Sequence, residues 1–180
     1  IRGRIEHFTA RKAMNIDGFG EAIVEALTAD VKVQETKDDG LFGAKTEEKV
    51  LPPVVHDVAD LYSLTPEAIE LRRPNRVADA KKAEMKLATK LCAAIAASKG
   101  NELWRLLHGL GIPNVGEGLA RSLTGELGSL DALLAADAAA LAKVRDVGEI
   151  VAQSVVEFFA NPRNRAVIEK LRQAGVRFDR

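Results

Sequence analysis

A short turn pattern occurs three times in the chain and constrains its fold more than any other feature. A residue type that tolerates a left-handed backbone is followed by an apolar residue and then by Gly-Glu. The three copies are Gly18-Phe19-Gly20-Glu21, Asn114-Val115-Gly116-Glu117 and Asp146-Val147-Gly148-Glu149. A helical pattern precedes each turn and another follows it. The sequence therefore predicts three helical hairpins, and repeated turns imply repeated units with one role.

The second helix of each predicted hairpin carries a small or β-branched residue one turn from its start. These residues are Val24, Ala120 and Ala152, and each lies four positions after the glycine of the Gly-Glu pair. Residues four apart lie on one face of a helix. The alanines in the last two copies therefore allow close packing of the two helices.

Each turn also has a chemical consequence, because the first amides of a helix have no acceptor within that helix. The helix dipole adds positive potential there, and phosphates bind at such ends without any side-chain charge. We expect Glu21, Glu117 and Glu149 to act as partners of the dipole. The predicted phosphate-binding residues are Gly18, Phe19, Gly20, Asn114, Val115, Gly116, Asp146, Val147 and Gly148, with Arg121, Lys143 and Arg145 as nearby cations. The alternative is that the hairpins only pack, and the threefold repetition favours binding.

The overall charge does not by itself favour a polyanionic partner. Lys plus Arg and Asp plus Glu number 26 each. Residues 1–62 hold 12 acidic and 8 basic side chains, residues 63–110 hold 5 and 9, and residues 111–180 hold 9 of each. Binding of nucleic acid must then depend on local geometry rather than on bulk charge.

Composition predicts a soluble, mostly α domain over residues 1–180. Aromatic residues make up only 4% of the chain, and alanine is frequent. Predicted helices include residues 2–14 and a helix after Asn101, which is expected to be its cap. Residues 29–55 differ, because alternation at 31–35, a turn at 37–40 and the pair Pro52-Pro53 predict a small β or irregular insertion.

Several other classes of protein are not favoured. Cys92 is the only cysteine, which excludes an internal disulfide or a cysteine-based zinc site. The three histidines are far apart and lack the spacing of metal ligands. No apolar run reaches the roughly 20 residues of a membrane span. The start at Ile1 without a leader suggests a segment of a longer polypeptide, and nothing indicates export.

The repeated turns resemble the helix-hairpin-helix family of DNA-binding proteins. The chain is more closely similar to the tandem helix-hairpin-helix domain of bacterial NAD-dependent DNA ligases, over most of residues 1–28 and 56–178. The similarity also includes the segments Arg4-Ile5-Glu6-His7-Phe8, Asp57-Val58-Ala59-Asp60-Leu61-Tyr62, Leu110-Gly111-Ile112 and Gly128-Ser129-Leu130-Asp131-Ala132-Leu133-Leu134. It places this segment just after the family's four-cysteine zinc module.

The resemblance implies a non-catalytic fragment that binds double-stranded, nicked DNA without reading sequence. Its partners would be the nick and the other domains of the parent ligase, in the bacterial cytoplasm at the nucleoid. The fragment itself would hold no cofactor. NAD, magnesium and zinc are implied for the parent protein only.

The sequence departs from the family in two places. The family has four hairpins, but the second, expected within residues 77–98, lacks its glycines at Lys82-Ala83-Glu84 and is interpreted as degenerate. Ala88 is its expected small residue. Nearby cations would supply salt-dependent affinity there instead: Arg72, Arg73, Arg76, Lys81, Lys82 and Lys86. The second departure is the insertion at 29–55, which is absent from typical members.

The sequence offers three alternatives to the ligase. Lys37-Asp38-Asp39-Gly40 fits the lysine motif of nucleotidyltransferases, but it lies in a charged loop without the large nucleotide-binding domain that such a site needs. Another helix-hairpin-helix protein, such as a DNA-repair nuclease subunit or a branch-migration factor, is the second alternative. A protein-interaction module with no role on nucleic acid is the third.

Overall fold

The chain is mostly α-helical with one small sheet, as predicted. A computed structural model describes residues 1–38, 40–41, 43–73 and 85–180. The helices are α1 (Arg2–Thr9), α2 (Glu21–Thr28), α3 (Pro66–Arg72), α4 (Met85–Ser98), α5 (Leu103–Gly109), α6 (Glu117–Leu127), α7 (Leu130–Ala135), α8 (Ala138–Ala142), α9 (Glu149–Ala160) and α10 (Pro162–Gln173). A 3₁₀ helix covers Val58–Ser63, and the strands are β1 (Val31–Asp38) and β2 (Ala44–Leu51).

The segment at 29–55 is an exposed antiparallel hairpin, which confirms the β prediction. Val31 lies opposite Leu51, and Asp38 lies opposite Ala44. The Lys37 ammonium lies 3.6 Å from a Glu47 carboxylate oxygen, and the Gly40 amide donates to Asp38 Oδ1 at 3.0 Å. Lys37 and Asp38 therefore lie at the end of an exposed strand, and Gly40 lies in a bend beyond it, which agrees with the interpretation of the motif as a turn.

Side-chain caps begin several helices where the sequence contains a cap residue. Each cap oxygen accepts a hydrogen bond from an amide in the first turn, as expected for Ser, Thr, Asp and Asn. The cap residues are Thr65 for α3, Ser129 for α7, Asp137 for α8 and Asn161 for α10. These caps satisfy the amides of helices that are not the second helix of a turn-Gly-Glu hairpin.

The first helix is shorter than predicted, because it ends at Thr9 rather than at residue 14. The amide of Met14 donates to the Phe8 carbonyl at 3.0 Å, and that of Ile16 donates to the Thr9 carbonyl at 3.0 Å. The chain thus folds back over the end of α1 and buries Ala13 and Met14 in the core.

Asn101 was predicted to cap α5, and this prediction is wrong. The cap position is Glu102, without a side-chain cap bond. Asn101 Nδ2 instead donates to the Met14 carbonyl at 2.7 Å, and Arg105 Nη1 donates to the Ala13 carbonyl at 3.0 Å. Both bonds attach the start of α5 to the segment before the first turn.

One buried apolar cluster includes residues from both ends of the chain. An ion pair adds a second connection, because Lys170 Nζ on α10 lies 2.6 Å from carboxylate oxygens of both Asp57 and Asp60. Ala88 on α4 is fully buried, as a small packing residue should be. The Lys82-Ala83-Glu84 turn predicted for the second hairpin, with Arg76, Lys81 and Lys82, lies outside the described residues.

Candidate nucleic-acid interface

The three predicted turns share one unusual backbone conformation. Gly18 has a φ of 95°, Asn114 a φ of 65° and Asp146 a φ of 64°. A left-handed conformation at a non-glycine residue is uncommon and is most frequent for Asn and Asp. The prediction that Gly, Asn and Asp play the same conformational part in the three copies is therefore confirmed.

The apolar residue at the centre of each turn points into the protein. Phe19, Val115 and Val147 are all buried, whereas the residues on either side of them are exposed. Buried apolar side chains stabilise the turn by burial of their surface. The apolar side chains thus anchor each turn from inside, while backbone of the neighbouring residues faces solvent.

The glycine that precedes the glutamate in each turn is required neither by its backbone conformation nor by internal packing. Gly20, Gly116 and Gly148 have φ values of −70°, −86° and −87°, which any residue adopts. A Cβ atom built on each of them meets nothing within 4 Å. The missing side chain therefore leaves open space outside the protein, next to the start of the helix.

These glycines are also the cap positions of α2, α6 and α9, and none of the three helices has a side-chain cap bond. In the described part of the chain, the amides of Glu117 and Gly118 have no protein acceptor, and the same holds for Glu149 and Ile150. Unsatisfied amides at a helix start are met by water or by an anionic ligand. Each turn consequently offers a row of open donors.

The small residues after the turns are buried as predicted. Val24, Ala120 and Ala152 have almost no exposed surface. A further contact that the sequence did not indicate joins the last two hairpins, because Asn114 Nδ2 donates to Ser154 Oγ on α9 at 2.9 Å. When the predicted second hairpin is counted, the Asn114 turn is the third turn and the Asp146 turn is the fourth. This bond holds the third turn beside the second helix of the fourth hairpin.

The first turn differs from the other two in its packing. Gly18 lies against α4, and a Cβ atom there would overlap Leu91 Cδ2. Leu91 is itself buried. The positive φ thus favours glycine at this position, and a side chain there would also displace the end of Leu91.

The predicted cations take different positions. The Arg145 side chain is 92% exposed beside its turn and lies 3.8 Å from the neighbouring Asp146 carboxylate, and Lys143 is also exposed. The Arg121 guanidinium instead lies 3.7 Å from the centre of the Trp104 ring and 3.2 Å from Glu117 Oε1. Arg145 and Lys143 are therefore directly available to a ligand, whereas Arg121 is fixed on α6.

Trp104 is only 6% exposed, so it is a core residue as predicted and not a platform for base stacking. At the end of α5, the pKa of His108 is lowered, first by burial of the ring and then by the nearby His7. His108 is accordingly neutral at pH 7 and adds no positive charge beside the third turn.

The geometry of the last two turns matches a known motif. Residues 105–168 match the family model described as helix-hairpin-helix motif. These residues form a pair of helix-hairpin-helix units. The pair consists of α5 with α6 and α8 with α9, with the turns at Asn114 and Asp146 between the helices of each unit.

The whole chain is similar to a segment of DNA ligases. It is 41% identical over 178 residues to the DNA ligase of Chlorobium phaeobacteroides, 41% over 173 residues to that of Gemmatimonas aurantiaca, and 39% over 177 residues to that of Lysinibacillus sphaericus. These alignments cover 99%, 96% and 98% of this chain but only 22%, 21% and 22% of the relatives. The predicted resemblance to the ligases is thus confirmed, and the chain spans about a fifth of their length.

The aligned span includes residues 29–55, so the status of that segment as an insertion stays a prediction. No helix in the described ranges is both long and apolar enough to cross a membrane. Among the residues that the structure describes, no group of three or more His, Cys, Asp or Glu residues is arranged to hold a metal ion.

Proposed function

We propose that this chain binds duplex DNA within an NAD-dependent DNA ligase and grips the sugar-phosphate backbone around the nick during sealing. The observation that carries the proposal is the set of glycine caps at Gly20, Gly116 and Gly148, where open amides face solvent and no side chain blocks approach. Phosphate oxygens are the acceptors that such helix starts prefer.

Binding through main-chain amides accounts for a DNA-binding chain with a formal net charge of zero. Contacts to phosphates position a protein on DNA but carry no sequence information. Arg145 and Lys143, beside the fourth turn, add charge at the same place. Binding is therefore independent of base sequence and weakens as salt is added.

The similarity to ligases over nearly the whole chain favours a ligase over the nuclease-subunit and branch-migration alternatives. In this proposal the fragment does not catalyse. The parent protein uses NAD and magnesium in other domains and holds zinc in a module that precedes this segment. The partners are nicked DNA and those domains, in the cytoplasm of a bacterium at the nucleoid.

The experiment that tests this function replaces two open glycines by leucine, as Gly116→Leu with Gly148→Leu. Because neither position needs glycine for its φ or for internal packing, the helices persist and circular dichroism stays unchanged. The leucine side chains block the amides, so affinity for a nicked duplex falls about tenfold or more. Unchanged affinity of the double variant contradicts the proposal.

A matched control is Gly100→Leu, which lies in the exposed turn between α4 and α5. A Cβ atom there meets only the Ala97 carbonyl, at 3.9 Å, which is an ordinary contact. This control retains the DNA affinity of the unmodified chain. If the unmodified chain does not bind duplex DNA even at low salt, the protein-interaction alternative replaces the DNA-binding one.

A further inference from the structure

A second positively charged site lies away from the turns, at the opposite end of α6 from Gly116. It is a cavity of about 260 Å³ between the start of α5, the second half of α6 and the last residues of the chain. Its charged lining residues are Glu102, Arg121, Arg177 and Arg180. Three guanidinium groups thus meet one carboxylate around a small cavity.

The single carboxylate in this lining is already engaged. Glu102 Oε2 accepts a hydrogen bond from Trp104 Nε1 at 2.9 Å, and Glu102 Oε1 lies 3.9 Å from Arg105 Nε. The Glu102 carboxylate therefore already has partners in Trp104 and Arg105. The three arginines of the lining keep an excess of positive charge.

Arg121 is held in place before any ligand arrives. Its guanidinium lies over the Trp104 ring, 3.7 Å from the ring centre, and donates to Glu117 Oε1 at 3.2 Å. Stacking of Arg on an aromatic ring orients its planar set of donors, which reduces the entropy lost when an anion binds. The orientation of Arg121 is thus set by the protein.

The other two arginines are delivered by the last five residues of the chain. The Arg177 amide donates to the Lys99 carbonyl at 2.8 Å, and the Arg180 amide donates to the Gly128 carbonyl at 2.9 Å. Val176 and Phe178 are buried, whereas Arg177 is exposed. The Arg177 side chain has no hydrogen bond or ion pair with any residue that the structure describes.

We infer that Arg121, Arg177 and Arg180 form an anion site for a phosphate of the DNA backbone, distinct from the amides at the turns. This inference rests on the proposed function, since the phosphate belongs to the same duplex. Gly125 in the cavity lining follows Gly116 by nine positions, which is about 14 Å along α6. The site therefore extends the third hairpin's contact to a phosphate further along the DNA.

The test uses one double variant of the full chain, which carries both Arg177→Gln and Arg180→Gln. It is compared with the unmodified chain. Affinity for a nicked duplex is measured as salt is varied. Because the site binds one phosphate, its loss in the double variant lowers the magnitude of the slope of log K against log salt by about 0.9. The emission of Trp104, the only tryptophan, serves as a second readout at the site, and its change on DNA binding is smaller in the double variant.

A matched control removes the same two charges elsewhere, as Lys32→Gln with Lys45→Gln on the exposed β hairpin. The inference predicts that this control keeps the slope of the unmodified chain. If the arginine variant and the lysine control behave alike while the unmodified chain binds DNA, the arginine site is overturned and the turn mechanism stands. If the unmodified chain does not bind DNA, both are overturned.

Discussion

Asn114 Nδ2 donates a hydrogen bond of 2.9 Å to Ser154 Oγ, and this bond joins two hairpins through residues that are 40 positions apart. Asn114 also has the left-handed φ of the third turn. The same residue therefore shapes one turn and holds it beside the second helix of the next hairpin. We expect the distance between the two rows of open amides to depend on this contact.

Ser154→Ala tests that dependence. The substitution removes the acceptor, and alanine suits the interior of α9. Because the bond is exposed, the free energy of unfolding changes by less than about 1 kcal/mol. Affinity for nicked DNA falls several-fold, since the two turns lose their fixed spacing. A double-mutant cycle with Asn114→Gly, which keeps the turn conformation, gives non-additive losses of affinity. Additive losses would show that the contact does not position the turns.

The fourth turn allows a test of its backbone conformation alone. Asp146 has a φ of 64°, so Asp146→Ala forces a Cβ into the left-handed region and Asp146→Gly does not. The alanine variant should be less stable than the glycine variant by about 1 kcal/mol, after the lower unfolded-state entropy of alanine is included. Urea unfolding of both variants measures the difference. Equal stability would mean that the turn relaxes to another conformation.

The first turn predicts a contrast between its two glycines. Gly18→Ala places a Cβ against the buried Leu91 at a φ of 95°, whereas Gly20→Ala enters open space at a φ of −70°. We expect Gly18→Ala to lower the free energy of unfolding by more than about 1 kcal/mol. Gly20→Ala lowers the free energy of unfolding by only about 0.5 kcal/mol, because alanine is a poorer cap residue than glycine. Thermal unfolding shows which of the two variants is less stable. A greater loss of stability in Gly20→Ala than in Gly18→Ala would contradict the prediction.

Acid should weaken the contact between α10 and the 3₁₀ helix. Burial alone would raise the pKa of Asp60, but hydrogen bonds from Lys170 and from the His56 amide more than offset it, so the pKa is lowered. A carboxylate with a lowered pKa in the folded state stabilises the protein above its unfolded pKa and loses that contribution as pH falls through the folded value. Stability therefore decreases as pH falls below about 4.

Lys170→Met is the variant that checks this pH dependence. Without the ammonium group between Asp57 and Asp60, the pKa of Asp60 is no longer held down by that partner. The unmodified chain should then lose more stability than the variant between pH 5 and pH 3, as followed by urea unfolding at each pH. If the free energy of unfolding depended on pH in the same way in both proteins, the ion pair would not be the cause of the acid sensitivity.

The sequence predicts the hairpins because their signals are local. Gly, Asn and Asp at the turn, the apolar residue after them and the alanine one helical turn later are all set by backbone and neighbour sterics. The caps at Ser129 and Asp137 are local in the same way. Such features can be identified without knowing what lies beside them in space.

The wrong cap prediction and the contacts without a sequence signal involve partners that are distant in sequence. Asn101 is a residue type that commonly caps helices, but its side-chain amide donates to the carbonyl of Met14, 87 positions earlier. The stacking of Arg121 on Trp104 has no signal in the sequence. The bond between Asn114 and Ser154 likewise has no sequence signal. Tertiary contacts decide which of several acceptable partners a polar side chain takes.

The most direct measurement places a carboxylate where DNA phosphate is proposed to bind, as Gly116→Asp with Gly148→Asp. Both positions have the extended backbone of a helix cap, so aspartate caps α6 and α9 and raises stability by a few tenths of a kcal/mol each. The same carboxylates occupy the amides and repel phosphate. Gln34→Glu with Thr46→Glu, on the exposed β hairpin, adds equal charge as the control.

Thermal unfolding and titration with a nicked duplex are carried out on the same samples of both double variants. We expect the aspartate variant to unfold at a higher temperature than the unmodified chain and yet to bind DNA at least tenfold more weakly, while the control keeps its affinity. A stabilised aspartate variant that binds DNA as tightly as the control would contradict the claim that the amides at the turns hold the phosphates.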